Sequence, residues 1–317
     1  MTMPKTHTLH DWNAFANLMN SIEAAKERLG LLSHQDAFFR GHSDNRYTLL
    51  PSLLRQPDTG EPDYHWRLER RTFLQFRTLA RELYTTDRLD WDVLFHMQHH
   101  GVPTRLLDWT SVFGVALYFA LLNRPDHSTM IPCMWMLNPY ALNYAQWNTH
   151  NLFSPHYLAR DEEINRSYDY GELLIGAHRG DQSQSRHRNW GRLPWHNPLA
   201  IYHDQRSDRM FAQTGWFTIH GTNTAPLEEI FPEPPDDPNQ PQNSRRPRML
   251  TKVDIPLEAI SAAREFLTFA GIGHRQLFPG LDGLALSVKQ RFDLIRPPAD
   301  PIPLDKSKYE TDSKTPV

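Results

Sequence analysis

Residues 97–121, MQHHGVPTRLLDWTSVFGVALYFAL, set the strictest condition on how this chain folds. Two adjacent histidines, an Arg-Asp pair and a Thr-Ser pair stand directly against an apolar run, and polar groups in such a setting cost free energy unless each finds a partner. A fold that buries this segment must therefore build a polar site beside its core. Gly101 and Pro103 divide the segment, one through backbone freedom and the other through a missing donor. The spacing predicts a helix over residues 91–99 before the break. A second is predicted over 112–123, with Val112, Val115, Ala116, Phe119 and Ala120 along one face and a start near Trp109-Thr110-Ser111. A hydroxyl at that junction either caps the helix or faces a ligand.

Upstream, residues 37–40 read as a short buried strand ending at Gly41, the residue type that frees a backbone to turn. Residues 12–29 place Trp12, Phe15, Leu18, Met19, Ile22 and Leu29 at helical spacing after Asp11, and residues 64–85 form another helix with charges on one face. Residues 132–137, 199–202, 214–220 and 250–255 are strand candidates, and 260–270 is a helix ending at Gly271. So many strands exclude a helical bundle. The expected class is α/β or α+β: one domain over residues 11–296, with a mixed sheet and flanking helices, after an N-terminal tail of residues 1–10. Residues 232–247, PEPPDDPNQPQNSRRP, offer almost nothing to bury and read as a mobile surface loop; residues 297–317 read as a disordered tail.

Composition narrows the function classes. Lys and Arg number 34 against 37 Asp and Glu, a net charge of −3, so no global field draws the chain to nucleic acid or membrane. Arg179, Arg186, Arg188 and Arg192 form a local basic patch, in which residues 187–192, HRNWGR, interleave basic and aromatic groups as nucleic-acid contact loops do; a plain surface loop is the simpler reading. The single cysteine, Cys133, excludes an intramolecular disulfide and any multi-cysteine metal site. No run of about 18 apolar residues occurs, and the first residues lack the apolar core of a signal peptide, so the expectation is a cytoplasmic protein without membrane contact. Oligomeric state is left open. Gly-x-Gly-x-x-Gly, Walker and Gly-x-Ser-x-Gly patterns are absent, which disfavours Rossmann, P-loop and serine-elbow chemistry.

Several side chains stand out as site candidates. Arg40, after Phe38-Phe39, has an apolar floor and a permanently charged fork, which suits phosphate or carboxylate; the alternative is an ion pair with Asp36, Asp44 or Asp108. Arg105 and Asp108 are expected in a loop closed by Pro103 and Trp109, pairing with each other or with backbone groups. His96, His99 and His100 have helical spacing, but Met97 stands where a zinc-protease helix has Glu, so no metal is expected. Instead, one of His99 and His100 is expected to contact a ligand and the other to be buried.

Phe39-Arg40-Gly41-His42, Leu50-Pro51-Ser52-Leu53, Gln98-His99-His100-Gly101, Pro103 through Thr110 and Ala116-Leu117-Tyr118-Phe119-Ala120 together resemble the FRG domain family, named for its Phe-Arg-Gly motif. Met134 through Pro139, Arg209 through Phe217 and Leu277 through Leu284 extend the resemblance over roughly residues 10–292. The order of these parts also resembles, distantly, the ADP-ribosyltransferase superfamily. That resemblance implies a pocket for NAD, used as substrate. Arg40 would hold its phosphate or ribose, Thr110 and Ser111 would position the nicotinamide side, and Gln213 would stand nearest the late glutamate. Gln213 departs from the pattern, since an amide carries no negative charge to steady an oxocarbenium-like centre. Glu172 is an alternative carboxylate. The implied pocket thus has Arg40, Arg105, Asp108, Thr110 and Ser111 for NAD and Gln213, His99 and His100 for catalysis. Transfer of ADP-ribose to a protein or nucleic acid, in a toxin or anti-phage role, is the implied function; the rival is a non-enzymatic module recognising nucleic acid or a protein.

Overall fold

In the computed structural model, residues 9–57, 60, 64–80, 90–122, 124, 128–147, 150–154, 197–202, 215–221, 223–232 and 248–291 are described. Six strands form one sheet: β1 (Phe38–His42), β2 (Leu106–Thr110), β3 (Cys133–Leu137), β4 (Leu199–Ile201), β5 (Gly215–Ile219) and β6 (Leu250–Asp254), in the order β4-β5-β2-β1-β3-β6. Among the described residues all strand pairings are antiparallel, and the parallel pairing expected of a mixed sheet is confined to one bridge, Phe153 to Ile201. Helices α1 (Leu9–Arg28), α2 (Tyr64–Leu79), α3 (Asp90–His99), α4 (Phe113–Leu121) and α5 (Pro139–Trp147) flank it. Past β5 come α6 (Leu227–Ile230), α7 (Ile260–Phe269), α8 (His274–Leu277) and α9 (Leu281–Arg291).

Both sides of the sheet are covered. Phe39 packs with Phe15, Leu18, Leu117 and Leu267 of α1, α4 and α7, while its neighbour Phe38 packs with Trp109, Trp135 and Leu137 in a separate cluster. This is the two-residue alternation of a strand. A third cluster joins Phe73 of α2 and Phe95 of α3 to Phe217 and Ile219 of β5. None of the helices among the described residues is long and apolar enough to cross a membrane.

The expected boundaries agree with the structure to within three residues, save that the helix expected over 64–85 ends at Leu79 among the described residues. α5, α6, α8 and α9 had no counterpart in the sequence reading, and two further readings are corrected. Gly41 does not end its strand, because β1 continues through it to His42 in register with β3. Its glycine is required by a close approach of backbone: an added Cβ would lie 1.9 Å from the Ala116 carbonyl oxygen and 2.7 Å from the Ala120 nitrogen of α4. Arg105 and Asp108 do not share a loop. Asp108 sits inside β2, opposite Phe217 of β5, and Arg105 immediately precedes that strand. A turn rich in polar residues became a strand because Leu106, Leu107 and Trp109 are each buried there. Residues 233–247, the basic patch at 187–192 and the tail at 297–317 lie outside the described residues.

Candidate functional site

The ladder between β1 and β2 has a single paired position, Phe39 with Thr110, whereas β1–β3 and β2–β5 each have five. The backbone groups past that position need other partners, and Arg40 supplies one. Its Nη1 donates to the Asp108 carbonyl oxygen at 2.6 Å, across the two strands, while its Nε donates to Nε2 of His42 at 3.0 Å. Among the described residues these are the two hydrogen bonds its guanidinium makes. The arginine is thus anchored on one edge, in a side chain only 19% exposed.

His42 is the device that lets a cation sit there. It accepts from Arg40 through Nε2 and donates through Nδ1 to the Tyr47 carbonyl at 3.2 Å, which requires the neutral ring with its proton on Nδ1. Burial, then the neighbouring Arg40, pushes its pKa down to about 3. A neutral acceptor does not offset the arginine's charge, which is balanced in part by the Asp108 carboxylate 3.9 Å from Nη1. Burial also lowers the Arg40 pKa, partly opposed by Asp108, with Arg55 adding to the lowering.

These groups border a cavity of about 380 Å³, within the size range of small-ligand pockets. Arg55, exposed, adds a second guanidinium to its rim. Phe39, Phe95, Trp109, Phe119, Trp216 and Phe217 supply aromatic wall, and the buried indole nitrogen of Trp216 has no hydrogen-bond partner among the described residues. From α3, Phe95, Gln98 and His99 face the cavity at the i, i+3, i+4 spacing of one helical face. The site is therefore a cationic, aromatic-walled pocket at the place where two central strands part.

Of the residues singled out from sequence, Arg40, His99, Asp108 and Thr110 line this cavity, and His100, Arg105 and Ser111 do not. His100 is exposed rather than buried, its ring set edge-on to His99 at 4.8 Å. Arg105 pairs with Glu69 of α2 and not with Asp108: Nε and Nη2 lie 2.7 and 2.6 Å from Oε2, and the backbone N–H donates to Oε1 at 3.0 Å. With the Trp66 ring 4.5 Å from its guanidinium, Arg105 is a structural tie between α2 and β2. Thr110 is buried and accepts the Val112 N–H at 3.1 Å, holding the turn ahead of α4. Gln213 and Glu172 lie outside the described residues. Among the described residues no group of three His, Cys, Asp or Glu side chains is placed to hold a metal ion.

Of the polar cavity residues, His42 and Gln98 were read from sequence only as members of the family motifs, and Ser43, Tyr47, Thr48 and Arg55 escaped that reading. Arg55 follows Leu53-Leu54 much as Arg40 follows Phe38-Phe39, and that recurrence was the available signal.

Residues 35–129, which supply all of the cavity lining except Gly215, Trp216 and Phe217 of β5, match the family model described as FRG domain. An FRG domain is present in this chain. That match contains Arg40, His42, Arg55, Gln98, His99, Asp108, Thr110 and α4, while the later motifs, around Gln213 and at residues 277–284, fall outside it. No curated protein and no solved structure matches the chain.

Proposed function

We propose that the FRG-domain cavity binds a phosphate-bearing nucleotide, that the nucleotide is NAD, and that the reaction is cleavage of its nicotinamide–ribose bond. In that reaction the C–N glycosidic bond breaks, nicotinamide leaves with the bonding pair, and C1′ of the ribose is taken by water or by a nucleophile on a macromolecule, which loses its proton. The observation that carries the reading is the placement of Arg40 and Arg55 on one cavity in which His42 is held neutral. Two forked donors with no carboxylate hydrogen-bonded to either among the described residues favour an anion with several oxygens, for which arginine is well shaped. Aromatic walls of the kind seen here stack planar rings.

The test is a melting curve with and without NAD, run beside an assay for free nicotinamide, with single-stranded nucleic acid as competing ligand. NAD that raises the melting temperature and is cleaved supports the proposal; stabilisation by nucleic acid alone, lost with added salt, replaces it with a non-enzymatic binding module.

A further inference from the structure

An anion pocket has no evident use for a carboxylate, yet Asp108 lines this one. It is the single exposed residue of β2, in a strand whose other four positions are buried, and its side chain is 56% exposed. It forms a long ion pair with Arg40, but that pairing leaves its oxygens free of hydrogen bonds from the guanidinium. Arg40 donates to the backbone carbonyl of Asp108, while its Nη1 stays 3.9 Å from the carboxylate Oδ2, beyond hydrogen-bonding reach. Oδ2 is taken by Gln98 instead, whose Nε2 donates to it at 2.7 Å.

That amide is itself fixed. Thr104 donates its hydroxyl proton to Gln98 Oε1 at 2.6 Å, and the Thr104 oxygen accepts the Leu106 N–H at 3.1 Å. The chain of bonds settles which end of the Gln98 amide faces Asp108, and therefore which carboxylate oxygen is occupied. Oδ1 has no partner among the described residues. A strand carboxylate oriented by an amide, with one oxygen left over, beside two guanidiniums, is a site for a ligand bearing both phosphate and hydrogen-bond donors.

We infer that Asp108 holds the ribose hydroxyls of the bound nucleotide, so that the pocket reads a sugar diol next to a phosphate and not phosphate alone. This rests on the nucleotide reading above. Hydroxyls donating to an ionised carboxylate form strong, charge-assisted bonds, and a carboxylate is the group by which dinucleotide-binding folds hold ribose. The same carboxylate repels a ligand that offers only negative oxygens. Asp108 is thus a specificity residue that favours nucleotides over inorganic anions.

Inorganic pyrophosphate and ADP-ribose separate the two roles when each is titrated calorimetrically into the wild-type protein and into Asp108→Asn and Asp108→Ala. In the Asn variant the side-chain oxygen must face the Gln98 donor, which turns an NH2 toward the cavity where an acceptor stood. ADP-ribose should bind about tenfold or more weakly to both variants, the loss expected for a hydrogen bond to a charged group. Pyrophosphate should bind at least as well as to wild type. Equal weakening of both ligands would show Asp108 to be a support for Arg40, and unchanged ADP-ribose binding would show that it touches no ligand; either result overturns the inference while leaving the anion pocket standing. If wild type binds neither ligand, the nucleotide reading itself fails and the inference with it. Melting curves of both variants confirm that the comparison is between folded proteins.

Discussion

Gly41→Ala tests how the pocket is built, because Gly41 is the point at which β1 and α4 come closest. The added methyl would sit 1.9 Å from the Ala116 carbonyl oxygen, 2.7 Å from the Ala120 nitrogen and 2.9 Å from the Ala120 Cβ. Two of the three neighbours are helix backbone, so no side-chain rotation relieves the contact. Real Cβ atoms keep more than 3.0 Å from other heavy atoms, and restoring that distance needs a shift of over an ångström between strand and helix. α4 buries Val115, Ala116, Leu117, Ala120 and Leu121, which makes such a shift a disturbance of the core. Overpacking of this kind costs about 1–3 kcal/mol when side chains absorb it, and a backbone clash belongs at or above the upper end. For a domain of this size about 3 kcal/mol corresponds to a fall in melting temperature of roughly 6–12 °C. Ala120→Gly in the same chain removes the 2.9 Å contact but not the one at 1.9 Å, and so should restore little. Differential scanning calorimetry reads both variants. A Gly41→Ala protein melting within about 2 °C of wild type would refute the claim that glycine is there for close approach.

Three further outcomes follow from buried charge and from the pocket. Removing Glu69, which is fully buried against Arg105, should cost about 3–5 kcal/mol in a urea titration because a buried arginine loses its carboxylate; a loss under about 1 kcal/mol would contradict the structural role given to the pair. His42 and His220, both pushed by burial to about 3, refuse a proton that the unfolded chain accepts below about pH 6.5. Stability is therefore full above pH 6.5 and falls as pH drops toward 3, by up to about 1.4 kcal/mol per pH unit for each histidine. His42→Gln should flatten that slope between pH 7 and 5, and parallel slopes would show that His42 is not held neutral. Arg105→Lys, outside the cavity, should lower the melting temperature and leave ligand affinity in the surviving folded protein within about twofold, and a selective affinity loss would return Arg105 to the site.

How much of this was legible before the structure depends on the range of the interaction involved. The helices and strands follow periodicity because alternation and helical spacing are local, and Phe38 and Phe39 show it by facing separate clusters. Arg40 was legible as a candidate from its apolar approach, and it lines the cavity. Asp108 was one of three carboxylates offered as its ion-pair partner, and the pair forms at 3.9 Å; the shorter bond to the Asp108 backbone carbonyl, 68 residues away, and the bond to His42 carried no sequence signal. Arg105 and Asp108 are three apart in sequence and invited pairing, but Asp108 stands within β2 and Arg105 precedes it, and their partners come from α2 and α3. Gly41 was read as a turn former because the same residue serves both turns and close contacts, and only the neighbouring helix decides between them.

The central claim is that Arg40 and Arg55 make this cavity an anion site. Calorimetric titration of inorganic pyrophosphate into wild type, Arg40→Ala and Arg55→Ala tests it without depending on turnover. The account predicts saturable binding to wild type that weakens as salt is raised, about a hundredfold loss for Arg40→Ala and about tenfold for the more exposed Arg55→Ala. Binding of equal strength to all three proteins, or none to wild type, would contradict it.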